Sequence, residues 1–341
     1  MTTEMLPTPT LQPEPPSVEA PRKQGQLPAR IASKYGTIIA LIALILVFSV
    51  LKGNLFLTSG NLVDIASELS IGAIISCGLT VALIADEFDL SIGYVGSFAG
   101  VLVTGFMVKS GMPMGVAIIA ALAACAAIGL INGLIITKAG VHSFVATLGT
   151  GTIVVGLNFL YNSGIAFSIG LPKAFFDLNL HKILGVPLPV YIAVVVVVIL
   201  WIVVNRTLFG YYAQAIGQNA EAAHLVGVRV DRIRVIAMVV SSACAGIGGI
   251  LLAAKLGSGQ SNAADGYLLN GFAAAFLGSV ALRNAEFHIV GTVIGVVTVG
   301  VAFNGLAIVG APTFWQYVVQ GGLLIAAVAL STIGRRILGR H

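Results

Sequence analysis

The sequence predicts an all-α polytopic membrane protein of about ten transmembrane helices, arranged as two inverted five-helix halves. Three observations carry this expectation. Hydrophobic residues make up 57% of the 341 residues and charged residues 9%, with a mean hydropathy of +1.01. A water-soluble chain could not cover that much apolar surface with so few charges. About ten apolar runs follow one another between Tyr35 and Ile333, many near the roughly 20 residues that cross a hydrocarbon core of about 30 Å. The arginines collect in the gaps on one side of these runs.

The runs fall at approximately 36–51, 62–84, 91–108, 113–137, 143–165, 189–205, 233–255, 267–282, 288–310 and 314–334. Helices suit them, because unpaired backbone groups are expensive in lipid and the runs are too long and evenly apolar for barrel strands. The eighth is short and rich in Gly and Ala, which fits a half-helix as well as a full crossing. Residues 1–34 read as a disordered Pro-rich tail: seven of the twelve prolines lie within residues 1–30, and such a composition cannot bury a core. It does not read as a signal peptide, since the first apolar run starts late and no small-residue cleavage site follows it. Residues 35–334 form the membrane domain and 335–341 a basic C-terminus. Cys77, Cys125 and Cys244 fall inside apolar runs without metal-ligand spacing and read as small buried hydrophobes.

With the N-terminus in the cytoplasm, the inner gaps hold Arg22, Lys23, Arg30, Lys34, Lys138, Arg206, Arg229, Arg232, Arg234, Arg283, Arg335, Arg336 and Arg340. The outer gaps hold Lys52, Lys109, Lys173, Lys182 and Lys255. Every arginine is then inside, so the positive-inside rule supports ten crossings with both termini cytoplasmic. The net charge of +5 is topology-setting charge spread along a lipidic chain, and no nucleic-acid partner is expected.

An internal echo supports the two halves. Asn132-Gly133-Leu134 ends the fourth span, with Gly140 and Phe144 following; Asn304-Gly305-Leu306 lies near the end of the ninth, with Gly310 and Phe314 following. Asn132 and Asn304 take structural, helix-ending roles in this reading. The copies lie five spans apart, an odd number, so their orientations are opposite, as an inverted repeat requires. Gly96 with Gly100, Gly129 with Gly133, and Gly291 with Gly295 each put two glycines on one helix face, which suits close helix approach.

The chemistry present is limited. No Gly-x-x-x-x-Gly-Lys-Ser/Thr loop occurs, so this chain does not cradle ATP phosphates in that way. The five histidines show no metal spacing and no triad with an activated Ser or Cys, which argues against a membrane-embedded hydrolase. No cofactor is expected in this chain. Asp86, Glu87 and Asp89 form the boldest polar cluster. Acids inside a membrane suit an ion route; the competing reading is a short cytoplasmic turn in which Asp89 or Ser91 caps the third helix. Asp64 and Glu68, four residues apart near the outer end of span two, face water or a polar interior and are not read as a site.

A translocation route needs polar stripes on apolar helices. Phe144, Thr147, Gly151 and Asn158 share one face of span five, and Thr313, Gln316, Tyr317 and Gln320 share one face of span ten. These spans hold equivalent places in the two halves. Amides, hydroxyls and aromatic rings suit a neutral polyol; the alternative for the same stripes is packing between helices.

The longest inner loop, 206–234, holds a two-turn helix. Asn219 suits its N-cap, Glu221 its first turn and Gly227 its close. Ala222, Ala223, Leu225 and Val226 give it a small apolar face, and a helix so short needs a partner or its own protein to dock on. Ala215-Ile216-Gly217, Asn219, Glu221-Ala222-Ala223 and Gly227 resemble the loop by which permeases of ATP-binding-cassette (ABC) importers contact their ATPases. In the same register, Asp89-Leu90-Ser91-Ile92-Gly93, Asn132-Gly133-Leu134, Phe144 with Thr147-Leu148-Gly149-Thr150, Gly266-Tyr267 and Asn304-Gly305-Leu306 resemble landmarks of the permease subunits of ribose-type sugar ABC importers. The resemblance covers roughly residues 36–334. Two places depart from the pattern: Ala85-Asp86-Glu87-Phe88, where many relatives carry small residues before the Asp, and Arg283-Asn284-Ala285, which replaces a Gly-rich turn.

The resemblance implies a permease subunit in the bacterial cytoplasmic membrane that translocates a monosaccharide or similar polyol. It implies cytoplasmic ATP-binding subunits that use the ATP, an extracytoplasmic sugar-binding protein, and a second permease copy or paralogue in a dimer surrounded by lipid. Gly217, Asn219, Glu221, Ala222, Ala223 and Gly227 would then couple to the ATPase. The rival readings are an ion-coupled secondary transporter using Asp86, Glu87 or Asp89, and an ABC permease for nucleosides or branched-chain amino acids.

Overall fold

The computed structural model describes residues 26–281 and 286–337. Most of the tail expected over 1–34, the turn at Arg283-Asn284-Ala285 and the last four residues lie outside them, and so do Arg22, Lys23, Arg283 and Arg340 of the charge count. Helix α1 (Gln26–Phe56) already begins inside the stretch read as tail.

The predicted spans appear as α1, α2 (Ser59–Ile84), α3 (Ile92–Val108), α4 (Met114–Lys138), α5 (Ser143–Asn162), α7 (Leu188–Arg206), α10 (Val230–Leu256), α11 (Gly266–Val280), α12 (Ile289–Val309) and α13 (Phe314–Ile337). Eight of these are long and apolar enough to cross a membrane. The other two, α3 with 17 residues and α11 with 15, are shorter apolar helices; at 1.5 Å per residue α11 covers only about 22 Å. They are the third helices of the two halves, and each follows a non-helical segment that folds into protein. Before α3, Glu87, Asp89 and Ser91 are buried; before α11, Ser258, Ser261 and Ala264 are buried. Irregular backbone inside a membrane protein is tolerated where protein covers it.

The pairings also correspond. Helix α10 packs on α4 as α12 packs on α2, α3 meets α4 and α5, and α11 meets α12 and α13. Helices α2 and α10 form the centre. The paired glycines supply the close approach read from their spacing: a carbon added at Gly249 of α10 would run into the Gly96 carbonyl of α3, and one at Gly295 of α12 into Ala274 of α11. On the outside of the bundle, Leu46 and Val50 of α1, Ile153 and Leu160 of α5, and Ile325 of α13 are exposed, as lipid-facing side chains should be.

Two regions are more structured than expected. The connection between α5 and α7 holds α6 (Lys173–Leu180) and a hairpin of β1 (Lys182–Ile183) and β2 (Val186–Pro187). The connection between α7 and α10 holds two helices, α8 (Leu208–Gln218) and α9 (Ala220–Leu225), where one was expected. The Asn-Gly-Leu echoes do not end their helices: α4 continues to Lys138 and α12 to Val309.

Candidate translocation site

A cavity of about 650 Å³ lies among α2, α11, α12 and α13, within the range of small-ligand sites. It runs along α2 from Val63 to Ser76 and takes in Tyr267 and Asn270 from α11, Asn304 from α12 and Gln316 from α13. Asn179 and Lys182 of the α5–α7 connection and Lys255 at the end of α10 also line it. At the opposite end of α2, the last turn of α8 rests on the helix, where a carbon added at Gly217 would meet the Ile84 carbonyl. From Ser76 to Ile84 is about 12 Å of helix. The cavity and the α8–α9 segment therefore occupy opposite ends of the bundle.

The wall is mostly apolar, and the charged groups set into it are two acids, Asp64 and Glu68, and two lysines, Lys182 and Lys255. Glu68 forms an ion pair with Lys255 and accepts a hydrogen bond from the Tyr267 hydroxyl at 3.0 Å. Asn304 and Asn61 exchange two amide hydrogen bonds at 2.9 and 3.1 Å. Gln320, buried behind the wall, donates to the Asn270 carbonyl oxygen at 2.8 Å and so aims the Asn270 amide. Carboxylate, amide and phenol groups beside the apolar ring of Phe303 suit a neutral, hydroxyl-rich solute.

The stripes read from spans five and ten meet different fates. Gln316 lines the cavity and Gln320 supports it, while Tyr317 points outward, 72% exposed. On α5, Phe144 is exposed at 48%. Thr147 and Asn158 are fully buried against irregular backbone: the Leu90 amide donates to the Thr147 hydroxyl at 3.0 Å, and Asn158 donates to the Ser261 carbonyl at 3.2 Å. The α5 stripe thus holds the two broken segments and does not line this cavity. Asp64, Glu68, Lys255, Tyr267 and Asn270 were not read as site residues. The one signal for them was an acidic i, i+4 pair in an apolar span.

The acidic turn is not a solvated one. Asp89 is fully buried and Glu87 is 3% exposed, while Asp86 is exposed with a left-handed φ of 63°. Glu87 pairs with Arg234 Nε at 2.8 Å. Burial pushes the Glu87 carboxyl up from its ordinary range, opposed by the Arg234 charge and the Ser143 hydroxyl. Burial likewise raises Asp89, opposed by the Ser91 and Ser241 hydroxyls. Asp89 Oδ1 accepts from the Ser91 amide at 3.0 Å and hydroxyl at 2.5 Å. Neither residue caps α3 through its side chain as expected: Ser91 holds the N-cap position without a capping bond, because its hydroxyl is turned to Asp89. Asn132, expected to end a helix, donates instead to Ser91 Oγ at 3.1 Å and accepts from the Thr150 hydroxyl at 2.5 Å. Asn304 likewise joins two helices rather than ending one, through its pairing with Asn61.

In the α8–α9 segment, Asn219 is the N-cap of α9 and accepts from the Ala222 amide at 2.9 Å. Glu221 lies in the first turn. Gly227, with φ +87°, donates to the His224 carbonyl and turns the chain toward α10, a conformation that costs any residue with a Cβ. Ala223 is buried, but Ala222 is exposed and Leu225 and Val226 are each 80% exposed. The apolar face read from the sequence points away from this chain.

A bundle of apolar helices with short third helices, a cavity of balanced charge at one end and an exposed apolar segment at the other defines a polytopic membrane transporter subunit. Residues 61–328 match the family described as branched-chain amino acid transport system / permease component, and the chain belongs to that family. It is 34% identical over 301 residues to the ribose import permease protein of Bacillus subtilis strain 168, covering 88% of this chain and 93% of that one. It is 31% identical over 303 residues to the D-allose transport system permease protein of Escherichia coli K12, covering 88% and 92%. With the L-arabinose transport system permease protein of the same strain it shares 33% identity over 299 residues, covering 88% and 90%. No solved structure matches the chain.

Proposed function

We propose that this chain is the membrane-spanning permease subunit of an ABC importer that carries a neutral monosaccharide or similar polyol across the cytoplasmic membrane. The observation that carries the reading is a mostly apolar cavity holding a few polar groups of balanced charge, at the end of the bundle opposite the α8–α9 segment. The named relatives handle ribose, allose and arabinose, all neutral polyols, and this favours a sugar over the amino acid in the family's description. The cavity faces outward and receives sugar from an extracytoplasmic binding protein. Leu225 and Val226 dock on a cytoplasmic ATPase, both termini lie on that side, and two permease chains form the conduit. ATP is bound and hydrolysed in the partner.

Among the acids of the ion-coupled rival, Glu87 is paired with Arg234 and Asp89 bonds to Ser91, which favours structural roles for both. The test is purification of the tagged chain from its own membranes in mild detergent. An ATPase chain should co-purify, with hydrolysis stimulated by one sugar of the ribose, allose and arabinose panel together with its binding protein. A chain that purifies without any ATPase contradicts the proposal.

A further inference from the structure

At the inner end of the bundle, the turn 85–91 is anchored on several sides. Glu87, its side chain 4% exposed, meets Arg234 in the first turn and a half of α10 at 2.8 Å. The amides of Phe88 and Leu90 donate to the hydroxyls of Ser143 and Thr147 on α5, at 3.1 and 3.0 Å. Ser91 reaches α4 through Asn132. The last turn of α8 lies against the same place: Ile216 is 1% exposed, and Gly217 sits so close to the Ile84 carbonyl that no Cβ fits.

We propose that the turn 85–91, locked to α10 by the Glu87–Arg234 pair, is the joint that receives movement of the α8–α9 segment and passes it to α2, α3 and α10. Glu87 and Arg234 are its positioning residues. The proposal rests on the permease reading and adds to it the route by which a push from outside the chain reaches the cavity. Backbone packed without space for a methyl group transmits displacement rather than absorbing it. Splitting the pair strands the buried Glu87 carboxylate, while Arg234 is partly exposed, so turn and α10 move as one body. Ser76 at the cavity wall lies two helical turns from Ile84 on the same helix, so displacement of the joint moves that wall.

The experiment uses the intact complex of this chain with its ATPase, reconstituted with the binding protein, and reads sugar imported per ATP hydrolysed. ATP-driven uptake by the wild-type complex tests the permease reading by itself; the variants test the joint. Glu87→Gln should assemble with the ATPase at the wild-type ratio and keep hydrolysing ATP, while sugar imported per ATP falls about ten-fold, as for a disrupted coupling element. Arg234→Lys, which keeps the charge, should recover most of the loss seen in Arg234→Met. A purely structural role would lower assembly and hydrolysis together. Wild-type import per ATP in assembled Glu87→Gln overturns the proposal. If that variant fails to assemble, Glu87→Asp decides: its shortened arm should lower import per ATP, and a wild-type ratio overturns the joint.

Discussion

Asn61 of α2 and Asn304 of α12 face each other as a reciprocal amide pair, each donating to the other's carbonyl oxygen. Asn61 also donates to the Phe56 carbonyl at 2.8 Å, fixing its side chain at the end of α1. The pair therefore ties three helices together at the cavity wall. Interhelical polar bonds in membranes are worth about 0.6–2 kcal/mol. A double-mutant cycle with Asn61→Ala and Asn304→Ala, read by thermal unfolding in detergent, should return a coupling in that range. Strictly additive losses would mean that the amides do not act as a pair.

Accessibility separates the cavity from the packed stripe. Cys77, Cys125 and Cys244 are buried, so the native background toward polar thiol reagents should be low. Cysteines placed at Asn270 and Gln316 should react from the outer side, whereas cysteines at Thr147 and Asn158 should not. Protection of Gln316→Cys with reaction of Asn158→Cys would move the route to α5.

Removing a carboxylate from the cavity wall should slow the transport step rather than weaken assembly. Asp64→Ala is expected to lower the maximal rate of uptake several-fold, about 1 kcal/mol for one hydrogen bond. The sugar concentration at half-maximal rate should stay near that set by the binding protein. An unchanged maximal rate would remove Asp64 from the route.

The inner segment makes a sharper prediction. Leu225→Glu puts a charge where an apolar anchor is exposed, a change worth about 2 kcal/mol or more at an interface centre, or about thirty-fold in affinity. The ATPase should be lost on purification while insertion in the membrane is unaffected. Gly227→Pro should uncouple uptake as well, because proline cannot adopt φ +87° or supply the amide hydrogen given to His224.

Asp89 gives a pH signature. Its folded carboxyl is raised by burial, so the protonated form favours the fold. That stabilisation is fully present below the unfolded value of about 3.9 and is lost as pH rises through the folded value. Asp89→Asn removes the charge while keeping an oxygen for the Ser91 amide. Its melting temperature should match the wild type in acid and exceed it increasingly toward neutral pH. A constant difference across that range would show that Asp89 does not titrate with folding.

The spans were legible because each is a local property, an apolar run bounded by charge, and the α9 cap was legible because Asn219 and Gly227 bracket a single short helix. The site was not. Periodicity puts Thr147 and Asn158 on one face but does not reveal that the face meets the folded-back segments 85–91 and 258–265. Asp64, Asn270 and Asn304 come from three helices distant in sequence, and only their packing brings them to one wall. Asp89 was misread for a related reason: its position between two helices is that of a surface turn unless the turn folds inward, as Thr147, Ser143 and Asn132 make this one do.

The most direct test of the account is uptake into proteoliposomes holding this chain, its ATPase and internal ATP, with the binding protein outside. Labelled ribose, allose or arabinose should accumulate when ATP is present, and imposed proton or sodium gradients should not replace it. Accumulation driven by an ion gradient without ATP would contradict the account.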